Sequence, residues 1–251
     1  MTSPRRIAAV TALIAPVFAH SAAAQTAEDL RDAFSGEWFV FDETFGLDDR
    51  PCRLQLEDIS VSDDGADPLK ASSADCAGPL GENMNWRVDE GRIVLSTPTG
   101  ELIAALGGNP QRLSGDYVGA SNALVLERES GSGAKVALTE ALRVHGCYYL
   151  GYTADCVEPQ ATQAPEFEEG TAKIDVLVKL NVRNQPRRDA SIIGTVPRES
   201  TVTVNACLTT SDGIWCRAGF GETVGWLAKT ALRQGEWPVI SYVNAGSADG
   251  S

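Results

Sequence analysis

From Leu180 onward the chain is cut into short apolar runs by turn residues, and this spacing constrains the fold more than any other feature. Leu180-Asn181-Val182-Arg183 has the pattern of a short strand, and Pro186 breaks it. Ile193-Gly194-Thr195-Val196 is another strand, ended by Pro197. Val202-Thr203-Val204-Asn205 alternates with period two, and Asp212-Gly213 marks a turn before Ile214-Trp215-Cys216-Arg217. Gly225-Trp226-Leu227 closes the series. Five short strands in about sixty residues, spaced by turn signals, predict a small barrel.

The N-terminus has a different character. Arg5-Arg6 precedes an apolar run from Ile7 to Ala19, and small residues Ala22-Ala23-Ala24 come before Gln25. This is the three-part pattern of a secretory signal peptide over residues 1–24, too short and wrongly flanked to be a membrane anchor. A periplasmic or secreted protein beginning near Gln25 is expected. Export gives meaning to the cysteines, of which there are six: Cys52, Cys76, Cys147, Cys156, Cys207 and Cys216. An even count in an exported chain reads as a disulfide framework, although six cysteines allow fifteen pairings. Sequence proximity favours Cys52–Cys76, Cys147–Cys156 and Cys207–Cys216.

Charge divides the chain. Residues 25–170 hold 10 Lys/Arg against 27 Asp/Glu, a net of −17, whereas residues 171–233 hold 9 against 5, a net of +4. An acidic body argues against nucleic acid as a partner. The basic module could meet an anionic surface or an acidic peptide, or carry only solvated charge.

Residues 36–128 are also mostly strand-like. Trp38 to Phe41 is a candidate strand, and Arg53 to Glu57 alternates cleanly. Asn85 to Val88 and Arg92 to Leu95 form a hairpin pattern around Asp89-Glu90-Gly91, and Ser114 to Gly119 can pair with Ala123 to Glu127. Strands at this spacing without long helices predict an antiparallel barrel or sandwich. The chain is therefore all-β, with a mature length that suits two small domains. Before the first strand, Gln25 to Phe34 reads as a helical turn or a flexible arm. Residues 129–156 form an extension stapled by Cys147 and Cys156. Within it, Val136 to Val144 is either strand or helix, and Tyr148, Tyr149 and Tyr152 either make contacts or cap a barrel end. Residues 157–170, rich in Pro and Glu, read as an extended linker. The tail, 234–251, reads as disordered, with Trp237 to Ile240 able to dock on a neighbouring surface.

Two family resemblances follow from these motifs. The L-N-V-R strand at Leu180, the Gly194 strand and the closing Gly225-Trp226-Leu227 resemble the bacterial SH3 (SH3b) domain over residues 171–233. That resemblance implies a binding module in the cell envelope, with Trp226 packed in its core and ligand contacts in a groove between loops. Asn181, Arg183 and Asp212 are the candidate groove residues. Gly36-Glu37-Trp38, Cys52-Arg53-Leu54-Gln55-Leu56, Cys76, Trp86, Gly100-Glu101-Leu102 and Leu124 to Arg128 together resemble the Inh-type inhibitors of secreted bacterial zinc metalloproteases, over residues 25–128. That resemblance implies a lipocalin-like, up-and-down eight-stranded barrel with one disulfide, Cys52–Cys76. It also implies an N-terminal arm that enters a protease cleft, here Gln25, Thr26, Ala27, Glu28 and Asp29.

Chemistry finds little support. After cleavage only His145 remains, no C-x-x-C spacing occurs, and no G-x-S-x-G elbow is present. The expectation is a non-enzymatic protein without cofactor or metal. It would inhibit a zinc metalloprotease while its SH3b module binds peptidoglycan or an envelope protein, or act as an envelope scaffold without inhibition. A third alternative is a lipocalin-like carrier holding a small molecule in the first barrel.

Overall fold

In the first half of the chain, alternation of apolar and polar residues sets which face of each strand is buried, and the strands close on themselves. In β2 (Cys52–Ser60), Cys52, Leu54 and Leu56 are buried while Arg53 and Gln55 are exposed. The computed structural model describes residues 26–62, 68–118, 123–221 and 223–245. The predicted signal peptide and Gln25 lie outside them. With β1 (Gly36–Val40), β3 (Leu69–Ala74), β4 (Met84–Asp89), β5 (Arg92–Ser96), β6 (Leu102–Asn109), β7 (Arg112–Tyr117) and β8 (Ala123–Glu127), β2 forms a closed eight-stranded barrel. Each strand pairs antiparallel with the next, and Phe39 opposite Glu127 completes the ring. Glu90 (φ 48°) and Gly91 (φ 75°) form the two-residue β4–β5 turn whose positive φ values match the strand twist.

The barrel interior is filled. Trp38, Trp86, Leu54, Leu56, Leu95 and Leu106 are fully buried. Each buried indole finds an acceptor: Trp38 Nε1 donates to the Phe34 carbonyl at 2.8 Å and Trp86 Nε1 to the Glu57 carbonyl at 2.9 Å. Buried side chains of this size take up space that a carried ligand would need.

The segment before the barrel is helix α1 (Ala27–Phe34), one of the two forms its sequence allowed. Thr26 and Asp29 form a reciprocal capping box. At its other end Phe34 is buried and stacks on Trp38, with ring centroids 6.4 Å apart. Arg128 lies 3.9 Å over the Trp38 ring and donates to the carbonyls of Ala33, Ser35 and Glu37. Cation–π contact and charge-assisted hydrogen bonds thus clamp α1 onto the barrel.

After the barrel, the undecided stretch 136–144 is part of helix α2 (Gly133–His145), capped by Ser132 and ended by Gly146 in the left-handed conformation (φ 78°). The disulfide-closed loop that follows carries β9 (Tyr149–Leu150). Of its three tyrosines, Tyr149 packs against His145 and Trp237, Tyr148 is half-buried, and Tyr152 is exposed.

The second half forms one antiparallel sheet. Its strands are β10 (Ala172–Val176), β11 (Leu180–Arg183), β12 (Ile192–Val196), β13 (Thr201–Thr210), β14 (Gly213–Phe220), β15 (Thr223–Ala228) and, after β16 (Thr230–Arg233) and β17 (Trp237–Ile240), β18 (Tyr242–Asn244). The order is β12-β11-β15-β14-β13-β10-β18. Val182 and Val196 at one end share a buried cluster with Ile174 and Tyr242 at the other, so the sheet curls round one core. Strands β16, β17 and β9 make a small accessory sheet.

Two expectations are corrected here. The segment 157–170 is docked, not an extended linker. It contains a 3-10 turn at Pro159–Thr162, Pro165 is buried, and the Gln163 carbonyl accepts a 2.6 Å hydrogen bond from Lys229 Nζ. The tail supplies β17 and β18 to sheets as far as residue 245, and residues 246–251 lie outside the described residues. All three proximity-based disulfides are formed, with Cys207 and Cys216 directly opposite in the β13–β14 register. Among the described residues no helix is long and apolar enough to cross a membrane.

Candidate ligand-binding face and the interface behind it

Strand β11 presents alternate faces. Leu180 and Val182 enter the core, Asn181 is exposed and Arg183 is half-exposed. Arg183 donates to the Ala190 carbonyl at 2.6 Å and so fixes the β11–β12 loop, and burial lowers its pKa from the ordinary value. Strand β12 lies at the end of the sheet and pairs only with β11. One edge of its backbone is therefore unpaired within the sheet, the kind of edge that can accept an added strand. Ile192 and Ile193 on this strand are 53% and 41% exposed, and Val224 on nearby β15 is 42% exposed. Large apolar side chains beside an open edge are suited to contact with a ligand or partner.

Gly225 makes the close packing of this face possible. A Cβ there would lie 2.2 Å from Val182 Cγ1 and 3.2 Å from Ile193 Cδ1. The glycine of the Gly225-Trp226-Leu227 motif is therefore required by the approach of β11 and β12, while Leu227 enters the core.

Further along the same side of the sheet, where Trp226 stands directly opposite Arg183 in the β11–β15 pairing, the surface is covered. Trp226, expected in the second core, instead joins Trp215, Leu208 and Ala228 in a separate buried cluster with Ala123 and Val125 of β8. Trp226 is structural, but what it holds is the contact between the two barrels. The β13–β14 hairpin tip reinforces this contact. The Thr209 amide donates to Asp42 at 2.9 Å and the Ser211 amide to Glu127 at 2.7 Å. Asp212, one of the candidate groove residues, is here and not on a groove. Its carboxylate is fully buried, 2.7 Å from Arg112 Nη2 and 2.7 Å from Arg188 Nε, and it also accepts from Thr210 Oγ1 at 2.7 Å. Burial alone would raise the Asp212 carboxyl, but the Arg188 and Arg112 guanidiniums and their hydrogen bonds overcome it and hold it well below the usual carboxylate range.

The structure thus keeps Asn181 and Arg183 together on β11 and assigns Asp212 to the inter-barrel contact. Thr26, Ala27, Glu28 and Asp29 are exposed in the first turn of α1, where helix geometry replaces an extended arm. The Asp29 carboxylate is engaged by the Thr26 amide at 2.9 Å and hydroxyl at 2.7 Å, and those hydrogen bonds lower its pKa. Sequence reasoning missed Ile192, Arg188 and the Arg112–Glu127 pair. The last had a readable signal: opposite charges stand across from each other in adjacent strands of an apolar hairpin, the β7–β8 register.

Comparison with known proteins agrees with the second half of this picture. Residues 178–233 match the family model of the bacterial SH3 domain. No curated protein matches the chain. Among solved structures it is similar to the NMR solution structure of lysostaphin, with 11% identity, coverage of 88% of this chain and 98% of that chain, and a TM-score of 0.24, too low to carry an argument. The family match covers no residue of the first barrel. Residues 178–233 are a bacterial SH3 domain, locked by its tryptophan face to a closed eight-stranded barrel.

Proposed function

We propose that this is an exported, non-enzymatic binding protein of the bacterial envelope. Its SH3 domain engages peptidoglycan or an envelope protein through the β11–β12 face. The observation that carries the reading is the bacterial SH3 match at residues 178–233, in a domain whose tryptophan face is covered while Asn181, Ile192 and Ile193 stay exposed. The three disulfides fit an oxidising compartment outside the cytoplasm. The first barrel serves as a rigid body that orients the SH3 domain.

Co-sedimentation of the mature chain with purified peptidoglycan sacculi, and capture from envelope extract, test this directly. Binding in one of the two, weakened by Ile192→Asp, supports the face. No retention in either, at concentrations where a control SH3-containing wall binder is retained, overturns the reading. The finer possibility of metalloprotease inhibition rests on sequence resemblance alone. Comparing the mature form with a chain starting at Ser35 against secreted zinc metalloproteases decides it, and no inhibition by either form removes it.

A further inference from the structure

The three disulfides differ in access. Cys52 and Cys216 are fully buried, Cys76 is nearly so, and Cys207 packs on the core of the second sheet. Cys156 is exposed and its partner Cys147 is half-exposed. Thiol–disulfide exchange begins when a thiolate reaches one sulfur of the bond, so access selects which disulfide reacts. Of the three, Cys147–Cys156 is the one an external thiolate can approach.

This disulfide closes a joint of the fold. It staples the two legs of a tight loop, in which the Leu150 amide donates to the Asp155 carbonyl at 2.9 Å and the Val157 amide to the Tyr148 carbonyl at 2.8 Å. The loop presents β9 to β17, where only Tyr149 with Val239 and Leu150 with Ile240 are paired, in parallel. The Gly151 amide donates to the Ile240 carbonyl at 3.1 Å, and Arg233 Nη1 to the Gly151 carbonyl at 3.3 Å. A two-residue parallel pairing contributes little by itself, and an open loop must lose chain entropy to make it. The disulfide orders the loop in advance. On β17, Trp237 is covered by His145 of α2 at 4.5 Å and by Tyr149 at 5.7 Å between ring centroids. The loop therefore ties α2 to β17. The inter-barrel contacts at Trp226, Asp212 and Glu127 are made by residues outside it.

We propose that Cys147–Cys156 is a redox-sensitive clasp, opened by an external dithiol, whose reduction frees β9 from β17 while both barrels stay folded. One thiolate of the dithiol attacks the Cys156 sulfur and breaks its bond to Cys147, which leaves as a thiolate and takes a proton. The second thiol attacks the mixed disulfide so formed and releases Cys156 in the same way. The protein gains two electrons and two protons, and the dithiol becomes a disulfide. The open form uncovers the β17 edge and the Trp237 ring, a surface that the oxidised protein hides.

The test is a time course of the full mature protein in dithiothreitol under native conditions, with each point quenched by iodoacetamide and its peptides weighed by mass spectrometry. Cys147 and Cys156 should be alkylated at least about tenfold faster than the other four cysteines. Tryptophan emission reads the second half of the proposal, because Trp38, Trp86, Trp215 and Trp226 are buried and Trp237 is the partly exposed one. Emission should shift to the red as Cys147 and Cys156 are labelled, with the far-UV circular dichroism of the barrels retained, and Trp237→Phe should abolish the shift. A variant with both Cys147→Ser and Cys156→Ser should show the shifted emission without reductant and no response to it. Equal or earlier labelling of another cysteine pair, loss of the barrel signal together with labelling, or labelling without a Trp237 shift overturns the proposal. A folded double variant with the emission of the oxidised parent does so too, and if that variant fails to fold the time course on the parent decides alone.

Discussion

Replacing Asp212 by Ala is the sharpest perturbation the structure offers. The carboxylate is fully buried and takes part in three contacts at 2.7 Å, from Arg112, Arg188 and Thr210. Its loss leaves Arg112, 3% exposed, paired with Glu127 alone. Removing one partner of a buried ion pair costs about 3–5 kcal/mol, because the remaining charge is stranded. Against a typical domain stability of about 5–15 kcal/mol, this is a large fraction. Urea unfolding followed by tryptophan fluorescence should report it, since Trp215 and Trp226 lie in the adjoining cluster. The pH dependence has a defined sign. The folded-state pKa lies below the ordinary 3.8, so the unfolded chain binds the proton more readily between the two values. The stability from Asp212 is complete above the unfolded value and is lost as pH falls from there through the folded value. Asp212→Asn should therefore lose less stability than the parent protein on acidification below about pH 4. A cost under about 1 kcal/mol for Asp212→Ala, the range of a surface pair, would refute the reasoning, as would parallel acid profiles for Asp212→Asn and the parent.

Other outcomes follow from the same contacts. Limited proteolysis should spare residues 158–170 in the native protein, and an isolated 171–245 fragment should be less stable than the same segment in the whole chain, by chemical denaturation, because separation uncovers Trp215 and Trp226. Lys229 is buried, with Nζ on the Gln163 carbonyl and Asn244 Oδ1, and burial lowers its pKa from 10.5 to about 8. Its charged form costs stability below that value, and the cost is relieved as pH rises towards 10.5, so Lys229→Met should flatten the change in melting temperature between about pH 8 and 10.5. Gly225→Ala forces a Cβ within 2.2 Å of Val182 Cγ1 and should destabilise by about 1–3 kcal/mol, measured by urea denaturation.

The chain's own order determined whatever depends on near neighbours. Alternation at Arg53 to Glu57 placed one face of β2 inward, the Glu90-Gly91 turn set a hairpin, and each cysteine paired with the other one in its own segment. The L-N-V-R and G-W-L motifs located the SH3 domain, because its strand pairings lie within about sixty residues. Val136 to Val144 stayed open until α2 packed Leu138 and Ala141 against β16 and β17, since a short apolar run suits strand or helix alike. The relation between the two barrels was decided only in the tertiary structure. Arg112 and Asp212 are 100 residues apart, and nothing local to either marks the other as its partner. The same holds for Trp226, whose burial could be assigned from its size but whose neighbours Ala123 and Val125 belong to another domain. A Pro/Glu-rich stretch looks unstructured by composition, yet here it is held by Lys229 and Asn244, residues that become its neighbours only after the second sheet has folded. Pattern reports which face of an element is apolar, while the identity of the surface that covers it depends on contacts between distant residues, and those exist only in the folded chain.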